Sequence, residues 1–79
     1  MKVSVLFFGQ TAEITGTREL EVSVGETASA NEAFAEILEK YPRLKENKLL
    51  LALNQEYAKG DEIIQNGDEL AIFTAVSGG

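Results

Sequence analysis

The residues best placed to do chemistry are the last six, Thr74-Ala75-Val76-Ser77-Gly78-Gly79. Glycine has no Cβ, so a Gly-Gly end is thin and conformationally free. It can thread a channel too narrow for other residues and present a terminal carboxylate to a partner's active site. Residues 75–79, fully extended, span at most about 17 Å. That length reaches a buried site while a folded domain stays docked outside. Glycines also close chains without any role, so the remaining residues decide whether this end is functional.

The whole chain has 79 residues, with no cysteine and no histidine. That removes thiolate nucleophiles, imidazole acid–base catalysis and the commonest zinc ligands. A self-sufficient enzyme is disfavoured, and no metal site is expected from the carboxylates alone. The net charge of −6 argues against nucleic acid, whose phosphates would repel it. A protein partner should offer a basic or apolar surface. No apolar run approaches a membrane span, and Met1-Lys2-Val3-Ser4 enters a strand pattern without a secretory leader. A cytoplasmic location is expected. The chain is long enough for one domain, and without disulfides a core must hold it together.

The elements that would position the tail follow from patterning. Residues 2–8 alternate, with Val3, Val5 and Phe7 on one face and Lys2, Ser4, Leu6 and Phe8 on the other. The second set starts polar and ends Leu-x-Phe, which suits either a sheet covered on both faces at that end or an apolar patch kept for a partner. Between residues 9 and 16, Thr11 is placed to cap one or two helical turns and Gly16 to end them. Residues 18–24 form a second strand with Leu20, Val22 and Val24 inward. The main helix is expected over residues 28–41, with Ser29 and Glu32 as a capping box. Ala30, Phe34, Ile37, Leu38 and Tyr41 share its apolar face, and Pro42 stops it. Residues 43–48 read as a polar connection. Leu49 to Leu53 fit a buried strand ending at an Asn54-Gln55 turn, with a short return strand at Glu56-Tyr57. Residues 69–76 form the last strand, with Leu70 and Ile72 inward and Ala71 and Phe73 outward.

This order, β, β, α, β, short β, β, describes an α+β domain of the β-grasp type, the fold of ubiquitin, over residues 1–74, followed by a flexible tail at 75–79. In that topology the last strand runs parallel to the first, so their C-terminal ends lie on one side. Phe8 and Phe73 should then be close together where the tail departs, with Tyr57 a third member of the cluster.

Val5-Leu6-Phe7-Phe8-Gly9-Gln10, Ala12-Glu13-Ile14-Thr15-Gly16, Asn54-Gln55-Glu56-Tyr57, Gly67-Asp68-Glu69-Leu70-Ala71-Ile72 and Val76-Ser77-Gly78-Gly79 resemble the MoaD family, the small subunit of molybdopterin synthase. The resemblance covers essentially the whole chain. It implies a sulfur carrier that binds no cofactor of its own and serves as the non-catalytic subunit of a sulfurtransferase complex. A ubiquitin-activating-enzyme-like adenylyltransferase (MoeB-like) would use ATP to activate the terminal carboxylate, and sulfur would convert Gly79 into a thiocarboxylate. The large subunit (MoaE-like), in a heterotetramer with two of each, would take in the tail and use that sulfur for the dithiolene of molybdopterin. By position, Ser77 and Gly78 would line the partner's channel, and Phe8, Tyr57 and Phe73 would form the docking patch. Many members carry proline where this chain has Thr74-Ala75. Thr-Ala-Val before the glycines is also similar to ThiS, the thiazole sulfur carrier, whose chains are usually shorter and lack the Glu-Ile-Thr-Gly loop. A ubiquitin-like protein modifier would share the fold, tail and activator.

Overall fold

The structure is a computed structural model that describes residues 1–75; Val76, Ser77, Gly78 and Gly79 lie outside the described residues. Five strands form one mixed sheet: β1 (Lys2–Phe7), β2 (Glu19–Ser23), β3 (Leu49–Leu53), β4 (Glu56–Tyr57) and β5 (Glu69–Thr74). Their spatial order is β2-β1-β5-β3-β4. β1 pairs antiparallel with β2 and parallel with β5, while β3 pairs antiparallel with both β5 and β4. This is the α+β, β-grasp arrangement expected from the element order.

Alternation decides which face is dry. Val3, Val5 and Phe7 of β1 and Leu70 and Ile72 of β5 are buried on one face, where Leu49, Leu51 and Leu53 join them. The main helix α2 (Ala30–Lys40) covers that face. Its start is fixed by the expected capping box: the Ser29 hydroxyl accepts from the Glu32 amide at 3.2 Å, and the Glu32 carboxylate accepts from the Ser29 amide at 3.3 Å. The apolar stripe is narrower than expected. Ala30, Ala33 and Ile37 are buried, while Phe34, Leu38 and Tyr41 pack half-buried along its flank. Small alanines bring the helix axis close to the sheet, which moves the larger side chains to the sides. Tyr41 still reaches the core edge-on, with its ring 6.0 Å from that of Phe7 and at 77° to it.

Several boundaries differ from the sequence reading. α2 is shorter at both ends than residues 28–41. The connection after it is a 3₁₀ turn (Pro42–Glu46) that buries Leu44 completely. A single apolar residue in a polar run carries no periodicity, so this core member was invisible to pattern. The first strand stops at Phe7 rather than 8, and the last at Thr74. Asn54 and Gln55 both take positive φ, 51° and 70°, the two-residue hairpin geometry that matches strand twist.

Residues 60–64 strap the start of α2 to the body. The Ala30 amide donates to the Glu62 carbonyl and the Asn31 amide to the Gly60 carbonyl, both at 2.8 Å. Gly60 has φ +117°, and a Cβ there would run into the Asn31 side chain. Among the described residues no helix is long and apolar enough to cross a membrane.

Candidate functional site

The free face of the sheet is the opposite one, and register places its residues in rows. Leu6 pairs with Glu19 on one side and Ala71 on the other; Ala71 pairs with Ala52, and Ala52 with Tyr57. A row of side chains thus crosses all five strands: Glu19, Leu6, Ala71, Ala52, Tyr57. Next to it, toward the C-terminal ends of β1 and β5, lie Phe73 and its partner Leu50. The rows at the other end are polar, with Ser4 between Glu21 and Glu69, and Lys2 opposite Ser23. Lys2 and Glu21 form an exposed ion pair at 3.5 Å.

Of the three aromatic residues expected to cluster here, two meet. Tyr57 and Phe73 stack at a tilt of 51° with ring centroids 6.0 Å apart. Tyr57 is 78% exposed and Phe73 half-buried. Phe8 is 53% exposed; its amide still reaches the Ile72 carbonyl at 3.4 Å, next to Phe73, but among the described residues its ring pairs with neither Tyr57 nor Phe73.

The cause lies in Thr11 and Gly9. Helix α1 (Gln10–Thr15) is capped by Gly9, not by Thr11, and Gly16 ends it at φ 75° as expected. Gly9 takes φ 57° with ψ −123°, a combination open in practice only to glycine. It turns the chain off the sheet immediately after Phe8. Thr11 is the one fully buried polar residue among those described. Its hydroxyl accepts from the Phe8 amide at 3.0 Å, and its proton is in reach of the Ile72 carbonyl at 2.8 Å and the Phe8 carbonyl at 2.9 Å. The direct bond from the Phe8 amide to the Ile72 carbonyl is stretched to 3.4 Å. The hydroxyl is therefore inserted at the end of the parallel ladder and spreads it. Phe8 is released sideways to line a cleft of about 820 Å³ with Leu6, Ala12 and residues 16–19.

Sequence reasoning named Phe8, Tyr57, Phe73 and Ala71 on this face but missed Leu50 and Ala52. Leu50 was hidden in a run of leucines that alternation cannot split; its pairing with Phe73 supplies the missing information. Ser77, Gly78 and Gly79, the expected reacting end, lie outside the described residues. β5 runs parallel to β1, so the chain leads toward them from the apolar end of the face. Among the described residues no group of three or more His, Cys, Asp or Glu side chains could hold a metal ion.

The ionised side chain resolved from its ordinary state lies elsewhere. The Glu62 carboxylate accepts from the amides of Lys59 and Gly60, both at 2.8 Å. These bonds, led by the one from Lys59, hold its pKa below the ordinary 4.5. Glu62 belongs to the strap under α2 and is structural.

Comparison with known proteins agrees with this geometry. The sequence pattern of the ThiS family matches residues 5–79. The molybdopterin synthase sulfur carrier subunit of Homo sapiens is 39% identical over 83 residues, covering 99% of this chain and 94% of that protein. SAMP1 from Haloferax volcanii, a small archaeal modifier protein, superposes with a TM-score of 0.88 at 28% identity, over 100% of both chains. A chain from the complex of subunits 1 and 2 of the molybdopterin-converting factor of Helicobacter pylori superposes at 0.73 with 27% identity, again over 100% of both. The chain belongs to the ThiS family, as a member of its MoaD group, the molybdopterin synthase sulfur carrier subunits.

Proposed function

We propose that this protein is the sulfur-carrying small subunit of a molybdopterin synthase. The observation that carries the reading is the exposed apolar end of the sheet face, Leu50, Phe73 and Tyr57, from which β5 leads toward Gly79. A docking surface and a reactive end on one strand are what a carrier needs. The partner is a large synthase subunit, as in the two-subunit complex of the Helicobacter pylori factor. We place two copies of each in a heterotetramer.

The chemistry follows from the residue inventory. With no cysteine in the chain, the sulfur nucleophile comes from outside. A MoeB-like adenylyltransferase joins the Gly79 carboxylate to the AMP moiety of ATP, and pyrophosphate leaves. Sulfide, or a donor persulfide whose remaining S–S bond is then cleaved by a thiol of the donor to form a disulfide, attacks the acyl carbon and AMP departs, leaving a thiocarboxylate. Gly78 and Ser77 occupy the large subunit's channel, where the missing or small side chains avoid a clash. The work is placed in the cytoplasm, where ATP and the pterin precursor are at hand. The protein binds no cofactor of its own and supplies no catalytic side chain.

The test is intact mass after incubation with the adenylyltransferase, ATP and a sulfur source. Replacement of one oxygen by sulfur, mapped to Gly79, supports the carrier reading. An unchanged mass beside a loaded control carrier refutes it. Transfer of the sulfur to a pterin precursor in the presence of the large subunit, rather than to a thiazole intermediate, separates the molybdopterin reading from the ThiS-like one.

The likeness to SAMP1 favours a second reading, a protein modifier. Attack of a lysine ε-amine on the same acyl adenylate would release AMP and form an isopeptide. Larger adducts in cell extract, absent with Gly79→Val, would identify it.

A further inference from the structure

We propose that the free edge of β2 is a second docking site, which takes an extended segment of another protein carrying basic residues at alternate positions. The inference does not rest on the carrier reading. β2 is an outer strand of the sheet, and the pairing shows which of its backbone groups are unused. The Phe7 amide donates to the Arg18 carbonyl and the Val24 amide to the Met1 carbonyl. Residues 18, 20, 22 and 24 therefore turn their backbone groups toward β1, and Glu19, Glu21 and Ser23 turn theirs outward. One of these groups is already taken, because the Thr17 hydroxyl donates to the Glu19 carbonyl at 2.9 Å. The amides of Glu19, Glu21 and Ser23 and the carbonyls of Glu21 and Ser23 remain for a sixth strand.

Charge selects the occupant. The side chains beside the open groups are the exposed carboxylates of Glu19 and Glu21, the latter sharing its charge with Lys2 in an exposed ion pair at 3.5 Å, on a chain of net charge −6. Two copies pairing antiparallel about Glu21 would set Glu21 against Glu21, and directly opposed like charges are destabilising. That register of self-pairing is thus disfavoured, as charges on exposed edges commonly ensure. A strand with lysine or arginine at alternate positions meets opposite charges instead. At the head of the edge the cleft lined by Leu6, Phe8, Ala12, Thr17 and Glu19 accepts an apolar side chain from the same segment. Main-chain bonds, flanking charges and a terminal apolar anchor together are the requirements of strand addition.

The position allows simultaneous use. Four inter-strand steps separate β2 from β4, about 19 Å at the usual spacing. A partner on this edge leaves Tyr57 and Phe73 uncovered.

The experiment titrates the isotope-labelled full chain with a short synthetic peptide alternating lysine and valine and ending in leucine. Amide shifts are followed by NMR. Saturable shifts centred on Glu19, Glu21 and Ser23, weakened several-fold by salt, are expected. A peptide with glutamate in place of lysine should leave them unmoved, and Glu21→Lys should reverse that preference. N-methylation of the peptide backbone removes the ladder but keeps the charge, and should abolish the shifts. Equal binding by the N-methylated peptide, or shifts spread over the acidic face of α2 at Glu36 and Glu39, would overturn the proposal. So would a concentration-dependent dimer whose interface is this edge.

Discussion

Replacing Thr11 by valine tests the account of how the end of the sheet is shaped. Valine matches threonine in volume and branching, so the change removes a hydroxyl and little else. In the folded protein that hydroxyl serves the Phe8 amide at 3.0 Å and the Ile72 carbonyl at 2.8 Å. A buried polar group left without a partner costs about 1–3 kcal/mol, and two lose theirs here. They stand 3.4 Å apart, however, so a small closure of β1 onto β5 would let them bond to each other. That closure recovers part of the loss, and the net cost expected is about 2 kcal/mol. For a domain of this size it lowers the melting temperature by about 8–16 °C. Urea denaturation measures the free energy, with an unchanged m-value showing that the unfolded state is the same. Thr11→Ser keeps the hydroxyl and loses one buried methyl, so it should cost about 0.8 kcal/mol. A valine variant within about 0.5 kcal/mol of the parent, the ordinary range for a surface change, would refute the hydroxyl's role. So would a serine variant worse than the valine one, because packing of the methyl would then be what matters.

Three further outcomes are expected. Phe73→Ala removes the half-buried ring stacked on Tyr57 and should weaken binding to the large synthase subunit by about 2 kcal/mol, or about 30-fold in Kd; unchanged affinity in calorimetry would move the docking site elsewhere. Gly79→Val should abolish sulfur loading or transfer with no change in melting temperature, and normal thiocarboxylate turnover would contradict it. Glu62 has a folded pKa below its ordinary value, so the stability it adds is complete above about pH 4.5 and is lost as pH falls through the folded value. Glu62→Gln should therefore melt below the parent at neutral pH, with the gap closing in acid; a gap independent of pH would show that charge plays no part.

What was legible in the sequence was whatever repeats locally. Val3, Val5 and Phe7 announce their face by alternation, Ser29 and Glu32 announce a helix start by spacing, and Asn54-Gln55 announces a hairpin by composition. The illegible parts depend on neighbours distant in sequence. Thr11 looks like a helix cap, because nothing nearby reveals that its partner is the Ile72 carbonyl, 61 positions away. Gly9 does the capping, with a backbone geometry that a glycine permits but does not require. Leu44 is buried by the 3₁₀ turn that carries it, and Ala33 by the closeness of α2 to the sheet. The apolar face was legible in its aromatic residues and in Ala71, and not in Leu50 and Ala52, which only register places beside them.

The division of that face is itself evidence about function. A single helix covers one side of a five-stranded sheet, so the other side must meet water or a partner. A mixed or antiparallel sheet solvated on one face ordinarily shows polar residues along it. Here the same strands change character along their length: β1 runs from Lys2 and Ser4 to Leu6, and β5 from Glu69 to Ala71 and Phe73. Sheet formation alone would not demand that change, because the inner alternation of Val3, Val5, Phe7, Leu70 and Ile72 is complete without it. The apolar half falls at the end where β1 and β5 finish together and the chain continues toward Gly79. Leaving Tyr57 78% exposed on a small domain invites aggregation unless a partner covers it. The placement of that exposure at the end of the sheet from which the chain continues toward Gly79, and not at the Lys2 end, is what supports the proposed link between this surface and the tail.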